Sequence, residues 1–285
     1  METSHPTRTS AKTGAAKGSH SSHTLKQPIL SKPLVAMIHL PPLPGAGNYG
    51  GAPVRTIAKR ALAEARLLTE AGFDALLIQN THDRPSTTFV PSETLTAMTA
   101  VAEAVAAAVS CPLGINIHKN DGPGALAVAH AVGAAFVRVK VLVGATLGPE
   151  GIIQGNADAV VQLRNKLQSR IEIWADLGEL TSVPLVDISV RVLADWTARF
   201  GSADRLIVTE SDVALSAKAV GFAREGASIP VLIGGRTDPG SICQALAASD
   251  GVIVGSYLRA DGKTTNDLVA KRVHELIQAA RTSSP

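Results

Sequence analysis

Aromatic residues make up only 3% of this 285-residue chain, although 45% of it is hydrophobic. The core must therefore be built from Val, Ile, Leu and Ala. The two cysteines, Cys111 and Cys243, lie far apart, which excludes a disulfide scaffold and fits a reduced cytosolic protein. No uninterrupted apolar run reaches about 18 residues, so the sequence predicts no membrane span.

Acidic residues are nearly absent from the start of the chain. Residues 1–33 contain five of the 27 Lys/Arg residues but one of the 24 acidic residues, so they carry +4 and the remainder carries −1. The remainder has no basic bias, and we expect no nucleic-acid binding. Residues 1–32 have almost no apolar side chains to bury and are predicted to be a disordered tail. Their Ser/Thr-rich, acid-poor composition also resembles a transit peptide, so an organelle remains an alternative to the cytoplasm.

From residue 33 onward, one unit recurs: a short apolar run, a polar loop and a longer alanine-rich stretch. Apolar runs that suit strands buried on both faces of a parallel sheet occur at 34–39, 74–79, 113–118, 135–140, 171–176, 204–209, 230–234 and 251–255. Helical patterns follow most of them, among them 54–72 ending at Gly72 and a stretch with Ser92 as the expected N-cap. Eight such units predict a single (β/α)8 barrel, an α/β fold, over residues 33–285. A doubly wound open sheet is the rival, but no G-x-G-x-x-G follows the first strand.

In such barrels, the site forms from the loops at the carboxyl ends of the strands. The first strand ends at His39, where "IHLPPLPG" changes from an apolar run to a proline-rich loop that cannot continue the strand. Our candidates for acid/base or electrostatic roles at these strand ends are His39, Asp83, Asp121, Asp176 and Arg138, with Asn80 and Asn120 as ligand-binding side chains. A divalent metal among His39, Asp83, His118, Asp121 and Asp176 is conceivable, but no metal-type spacing supports it and we predict none.

Strand alternation adds a constraint at the fourth strand. Arg138 and Lys140 share a face, which we expect to be the barrel interior, with Phe136, Val137 or Val139 facing the helices. A buried arginine needs a carboxylate, so Arg138 should pair with Asp176 or Asp121. The pair could be purely structural or could contact a substrate.

The last two units contain glycines directly after their strands, in "VLIGGRTDPG" and "GVIVGSYLRADG". Backbone N–H groups there can approach an anion, and a helix predicted to begin near Pro239, capped by Thr237 or Asp238, would favour it. The alternative is two tight turns. The predicted phosphate-binding residues are Gly234, Gly235, Arg236, Gly255 and Ser256.

With these motifs in order, the chain resembles the BtpA family from about residue 33 to residue 278. The resemblance rests on "MIHLPPLPG", "EAGFDALLIQNTHDRP", "GINIHKND", "GAAFVRVKVLVGA", "GIIQGNADAVVQLR" and "DGVIVGSYLRADG". It implies a barrel related to phosphate-binding barrels. The family pattern is matched at His39, Pro42, Leu43, Pro44, Gly45, Asn80, Asp83, Asn120, Asp121, Arg138, Gly144, Gly151, Gly155 and Asp176.

The chain departs from the family pattern in its second half. Leu180-Thr181 stands where the family usually has Lys-His, Glu210 follows Thr209 in place of glycine, and Gly234-Gly235-Arg236 replaces Gly-Ser-Gly. Glu210 would repel a phosphate, whereas Arg236 would attract one. The first half of the predicted site is kept and the second half is altered.

Two functions follow from the residues and the resemblance. The first is an enzyme, or former enzyme, acting on a phosphorylated sugar- or nucleoside-like molecule, with no cofactor assigned and a homo-oligomer allowed. The second, implied by the family's photosynthetic namesake, is a non-catalytic assembly factor for photosystem I at the thylakoid surface. An assembly factor would favour an exposed apolar patch, and the sequence shows none.

Overall fold

A computed structural model describes residues 1–2, 28–178 and 180–282 of the chain. Its eight parallel strands are β1 (Leu34–His39), β2 (Ala75–Gln79), β3 (Leu113–Asn116), β4 (Phe136–Val139), β7 (Glu172–Asp176), β9 (Arg205–Val208), β10 (Val231–Gly234) and β11 (Val252–Val254). They close into a barrel in the order β1-β11-β10-β9-β7-β4-β3-β2. The predicted (β/α)8 barrel is confirmed.

Helices pack around the barrel as α1 (Val54–Ala71), α2 (Ser92–Ala106), α3 (Gly122–Val132), α4 (Ala157–Lys166), α5 (Val190–Arg199), α6 (Val213–Gly226), α7 (Ile242–Ala248) and α8 (Ala270–Arg281). Gly72 ends α1 with φ +105°, as the sequence predicts. Two expected helix starts are wrong. Ser92 is the first residue of α2 and Pro91 precedes it, and α7 begins at Ile242 rather than near Pro239. Asp238 and Ser241 instead bond to each other in a turn before α7.

The core has two layers. The larger layer lies between the sheet and the helices, and the smaller one fills the barrel interior. Phe136 belongs to the interior and stacks on Trp174 at 3.8 Å between ring centroids, so its expected outward position is wrong. It shares the inward face with Arg138, and Gly114 makes room because a Cβ there would collide with the Phe136 ring.

A small antiparallel sheet, which the sequence pattern does not predict, follows β4. It consists of β5 (Ala145–Gly148), β6 (Gly151–Gln154) and β8 (Val183–Pro184). Leu147 pairs with Ile152 on one side and with Val183 on the other, so the three side chains share a face. Each is about half exposed or more, at 48%, 60% and 60%. This apolar row contradicts the expectation that no exposed apolar patch exists.

The segment before β1 packs against the barrel at the amino ends of the strands. Ile29 packs against the interior layer, and Arg205 Nη1 donates to the carbonyl oxygens of Leu30 and Ser31. Residues 28–32, which the sequence places in the tail, therefore contact the barrel. The predicted disorder of residues 3–27 concerns a segment outside the described residues. Within the described residues, no helix is both long and apolar enough to cross a membrane.

Candidate functional site

A buried ion pair occupies the carboxyl end of the barrel interior. Arg138 Nε and Nη2 donate to Asp176 Oδ2 and Oδ1 at 2.8 and 2.6 Å, which is a bidentate pair. Lys140 Nζ lies 3.8 Å from the same Asp176 Oδ1. All three side chains are at most 9% exposed. The predicted pairing of Arg138 with Asp176 is confirmed.

Strand geometry produces this cluster. Arg138 lies beside Trp174 in the β4–β7 register, and Asp176 follows two residues later on the same inward face. Gly234 on β10 makes room for side chains of the neighbouring strand β9 and the loop after it, because a Cβ there would lie 2.7 Å from Thr209 Oγ1 and 2.8 Å from Ile207 Cγ2.

A cavity of about 290 Å³, here called the Lys140 cavity, lies directly above this cluster. Lys140, Asp176, Thr209 and Glu210 contribute its polar lining, and most of the remaining lining is apolar. Thr209 Oγ1 is buried, and no partner for it is found in the described residues. A buried hydroxyl without a partner in the lining of a cavity is a candidate hydrogen-bonding group for a ligand.

His39 lies at the end of β1 and belongs to a second buried network. Arg259 Nε donates to His39 Nδ1 at 3.2 Å, and the two Nη atoms of Arg259 donate to Glu64 at 3.1 and 2.7 Å. Burial, followed by the charge of Arg259, holds the pKa of His39 well below its ordinary value. Because arginine can only donate, Nδ1 is the acceptor and the neutral ring has its proton on Nε2.

Asp83 and Asn80 join loops. Asp83 accepts the N–H of Leu43 at 2.8 Å and the amide of Asn80 at 2.7 Å, which fixes the proline-rich loop against the β2 loop. Asn80 Oδ1 in turn accepts the N–H of His118 at 2.6 Å. Burial raises the pKa of Asp83, although both hydrogen bonds oppose this shift.

Asn120 and Asp121 have a similar role in the loop after β3. Asn120 exchanges hydrogen bonds with the backbone of Val141, with Nδ2 donating to the carbonyl and Oδ1 accepting the N–H, both at 2.8 Å. Asp121 caps α3 by accepting the N–H of Gly124 at 2.8 Å, and it accepts the N–H of Val90 at 3.1 Å. Burial raises the pKa of Asp121 as well. The structure places Asn80, Asp83, Asn120 and Asp121 as braces around the mouth, away from the Arg138–Asp176 pair.

The glycine loops differ from the predicted anion site. The Gly235 N–H donates to Ile253 O at 2.8 Å, so this amide is engaged in the sheet. Arg236 is exposed with φ +57°, and no ion pair joins it to Glu210 among the described residues. Ser256 begins a short 3-10 helix after β11. A Cβ on Gly255 would lie 2.8 Å from His39 Cε1, so Gly255 makes room for the imidazole ring.

Sequence reasoning missed Glu64 and Arg259 as site residues, and it assigned no role to Lys119 and Thr209, although both follow strand ends. Lys119 is 1% exposed, and its Nζ donates to Thr181 Oγ1 at 2.6 Å, so Thr181, a departure from the family pattern, lies beside a buried cation. Glu64 carried a readable signal, since it falls on the buried stripe of α1 with Ala61 and Leu68. A carboxylate at such a position needs a buried cation. No cluster of three or more His, Cys, Asp or Glu side chains suited to a metal ion occurs in the described residues.

The closed barrel and the buried charges at its carboxyl mouth define a (β/α)8-barrel protein with a cavity at that mouth. Residues 30–282 match the model of the BtpA family, and the chain belongs to that family. An uncharacterized protein of Thermococcus kodakarensis is 34% identical over 88% of this chain and 95% of its own length. The photosystem I biogenesis protein BtpA of Synechocystis is 32% identical over 87% of each chain.

Solved structures with the same fold are far less similar in sequence. Thiamine phosphate pyrophosphorylase from Pyrococcus furiosus superposes with a TM-score of 0.55 at 15% identity, covering 89% of this chain and 96% of its own. N-(5'-phosphoribosyl)anthranilate isomerase from the same organism gives 0.52 at 14% identity, covering 87% and 98%. These similarities establish the fold alone.

Proposed function

We propose that this chain is an enzyme that acts on a small phosphorylated sugar- or nucleoside-like molecule at the carboxyl mouth of the barrel. The observation that carries the proposal is the Lys140 cavity, which is lined by Lys140, Asp176 and Thr209 and in which Lys140 lies 3.8 Å from Asp176. The names of several barrels with this fold refer to phosphorylated compounds, which supports the substrate class by analogy. A cytoplasmic location and a homo-oligomeric state belong to the same proposal.

The buried charges suggest a division of roles. Arg138 engages both oxygens of Asp176, so this carboxylate is positioned to orient Lys140 rather than to remove a proton from a substrate. Lys140 and the Arg138–Asp176 pair lie at the floor of the cavity, and Glu210 adds a second carboxylate to its lining. Lys140 would donate a hydrogen bond or a proton to an oxygen that gains negative charge, and Thr209 would donate a second hydrogen bond. A volume of about 290 Å³ suits the sugar-sized part of such a ligand.

A thermal-shift screen with sugar phosphates and nucleotides tests this proposal. A ligand at 100 times its Kd should raise the stability of the protein by about 2.7 kcal/mol. The stabilisation should disappear in Lys140→Met and persist in Lys271→Met, since the Lys271 side chain is 84% exposed on α8. If no compound stabilises the wild type, or if every stabilising compound acts equally on both variants, the proposal is wrong.

A second candidate is the non-catalytic assembly factor, and the apolar row of Leu147, Ile152 and Val183 favours it. An exposed row of this kind is a typical protein-docking feature. The test is to express this chain in a Synechocystis strain that lacks the related biogenesis protein and to measure photosystem I content by P700 absorbance. If the Lys140→Met variant restores photosystem I content and the double variant Ile152→Ser/Val183→Ser does not, the result supports an assembly role. If the double variant restores photosystem I content and Lys140→Met does not, the assembly role is wrong.

A further inference from the structure

We propose that a second, cationic cavity beside His39 binds the phosphate group of the ligand, an inference that rests on the proposed function. The cavity has a volume of about 470 Å³ and lies where the loops after β1 and β2 meet the segment before α8. We call it the arginine cavity, and its polar lining includes His39, Arg60, His82, Arg84, Thr264 and Thr265.

Among the described residues, the lining of the arginine cavity contains basic side chains and no carboxylate. Arg84 Nη1 donates to the carbonyl oxygens of Thr81 and Asp83 at 3.0 and 2.7 Å, so backbone atoms orient this guanidinium. No ion pair of Arg84 is found within the described ranges. Arg60 shares its charge with Glu64 at 3.3 Å and with Asp267 at 3.1 Å, and the side chain of Asp267 is 89% exposed. The cavity therefore retains positive charge for an anion.

His39 supplies a fixed hydrogen-bond donor to this cavity. It is 6% exposed, and Arg259 occupies its Nδ1. Apart from the bond to Arg259, no hydrogen bond of the His39 ring is found among the residues that the structure describes. Because Glu64 holds Arg259 through two hydrogen bonds, the imidazole cannot turn over without breaking a buried network. The His39 ring is thus held in one orientation in the lining of the cavity before a ligand arrives.

Basic groups lie around the two histidines of the cavity. Burial is the largest cause that lowers the pKa of His82, the hydrogen bond to the Thr264 carbonyl opposes this shift, and Arg84, Arg259 and Arg60 each lower the pKa further. Burial also comes first for the pKa of His39, and Arg259, His82, Arg138 and Lys140 each add to that shift. Several nearby cations favour the binding of an anion.

The shape and the donor set favour a phosphate ester over a carboxylate. Pro41 and Pro42 form a stiff wall, and His82 Nε2 lies 3.0 Å from the carbonyl oxygen of Thr264, which fixes the opposite side. Two guanidinium groups, an imidazole N–H and two threonine hydroxyls offer more donors than the two oxygens of a carboxylate can use. In the glycine loop after β10, the Gly235 N–H already donates to Ile253 O and is not available to an anion.

Isothermal titration with inorganic phosphate tests the inference directly, with acetate as the carboxylate probe. Replacing Arg84 by Gln should weaken phosphate binding by roughly tenfold or more, because a charge-assisted contact is lost. The matched control is Arg236→Gln, an exposed arginine on the β10 loop, which should bind phosphate as the wild type does. Arg84→Lys should lie between the two, since it keeps the charge and loses the planar donor pair.

Three results would overturn the inference: no phosphate binding at millimolar concentration, a loss in Arg236→Gln with none in Arg84→Gln, or acetate binding as tightly as phosphate. The second result would indicate that phosphate binds at the glycine loops instead. Lys140→Met separates this inference from the proposed function. Phosphate binding that depends on Arg84 and persists in Lys140→Met would support the arginine cavity. If, at the same time, no compound gives a thermal shift that depends on Lys140, the proposed enzyme function is wrong.

Discussion

At the residue scale, the carboxylate of Asp176 compensates two buried cations, Arg138 and Lys140. Asp176→Asn should therefore lower the free energy of unfolding by about 3–5 kcal/mol, because the bidentate pair with the buried Arg138 would be broken. Urea unfolding followed by circular dichroism measures the change. Asp195→Asn is the matched control, since its pair with Arg199 is exposed and should contribute less than about 1 kcal/mol. Equal losses in the two variants would contradict this view of the cluster.

The neutral state of His39 has a consequence for pH. Its pKa lies well below 6.5 in the folded protein, so the unfolded chain takes up a proton first as the pH falls below 6.5. Stability is therefore lost on going from pH 7 to pH 5.5, and the loss should be about 1 kcal/mol smaller in His39→Gln. Urea unfolding of both proteins at the two pH values measures this difference. The lowered pKa of His82 also reduces the stability of both proteins as the pH falls. The raised pKa values of Asp83 and Asp121 increase the stability of both proteins as the pH falls. An identical loss in the two proteins would show that His39 titrates normally.

Sequence could predict the Arg138–Asp176 pair because strand alternation fixes which side chains face the interior. It could not predict the bonds of Arg259 to His39 and Glu64, which join positions 220 and 195 residues apart. Periodicity shows that Glu64 is buried but carries no information about its partner. For the same reason, strand ends suggest Asp83 and Asp121 as acid/base groups, whereas their oxygens accept backbone N–H groups of neighbouring loops.

At the scale of elements, Asp121 connects two regions of the fold. It caps α3 through Gly124 and also holds the segment before α2 through Val90. Asp121→Ala should cost about 2 kcal/mol, at the upper end for a helix cap, because both N–H groups lose their acceptor. The control is Asp212→Ala, an exposed cap on α6 that accepts one N–H, from Leu215, and should cost about 1 kcal/mol or less. Thermal or urea unfolding of the two variants gives the comparison, and a larger loss in Asp212→Ala would contradict it.

The barrel strands were predictable because runs of β-branched residues buried on both faces are distinctive. The small sheet of β5, β6 and β8 was not, since its strands have four, four and two residues and show no clear period. The start of α7 was misplaced because Pro239 follows a good capping residue. The side chain of Asp238 bonds to Ser241 instead, and the helix begins at Ile242.

At the scale of the whole molecule, the length of the N-terminal segment that the barrel needs can be tested. Removing residues 1–27 should leave the unfolding midpoint unchanged, because these residues have little apolar surface to bury. Removing residues 1–30 should lower it, since Ile29 leaves the interior layer and Arg205 loses the carbonyl of Leu30. Differential scanning calorimetry of the two truncated chains measures the midpoints. Equal midpoints would show that residues 28–30 contribute nothing.

The positions of the two tryptophans give this protein a pair of optical reporters. Trp174 is fully buried, stacked on Phe136 and bonded through Nε1 to Glu172, whereas Trp196 is 41% exposed and lines the Lys140 cavity. Trp174 should fluoresce at shorter wavelength and resist quenching by iodide, whereas Trp196 should emit at longer wavelength and be quenched. A ligand that enters the Lys140 cavity would alter the second emission and leave the first unchanged. Occupation of the cavity and unfolding of the barrel can thus be followed separately, without an added dye.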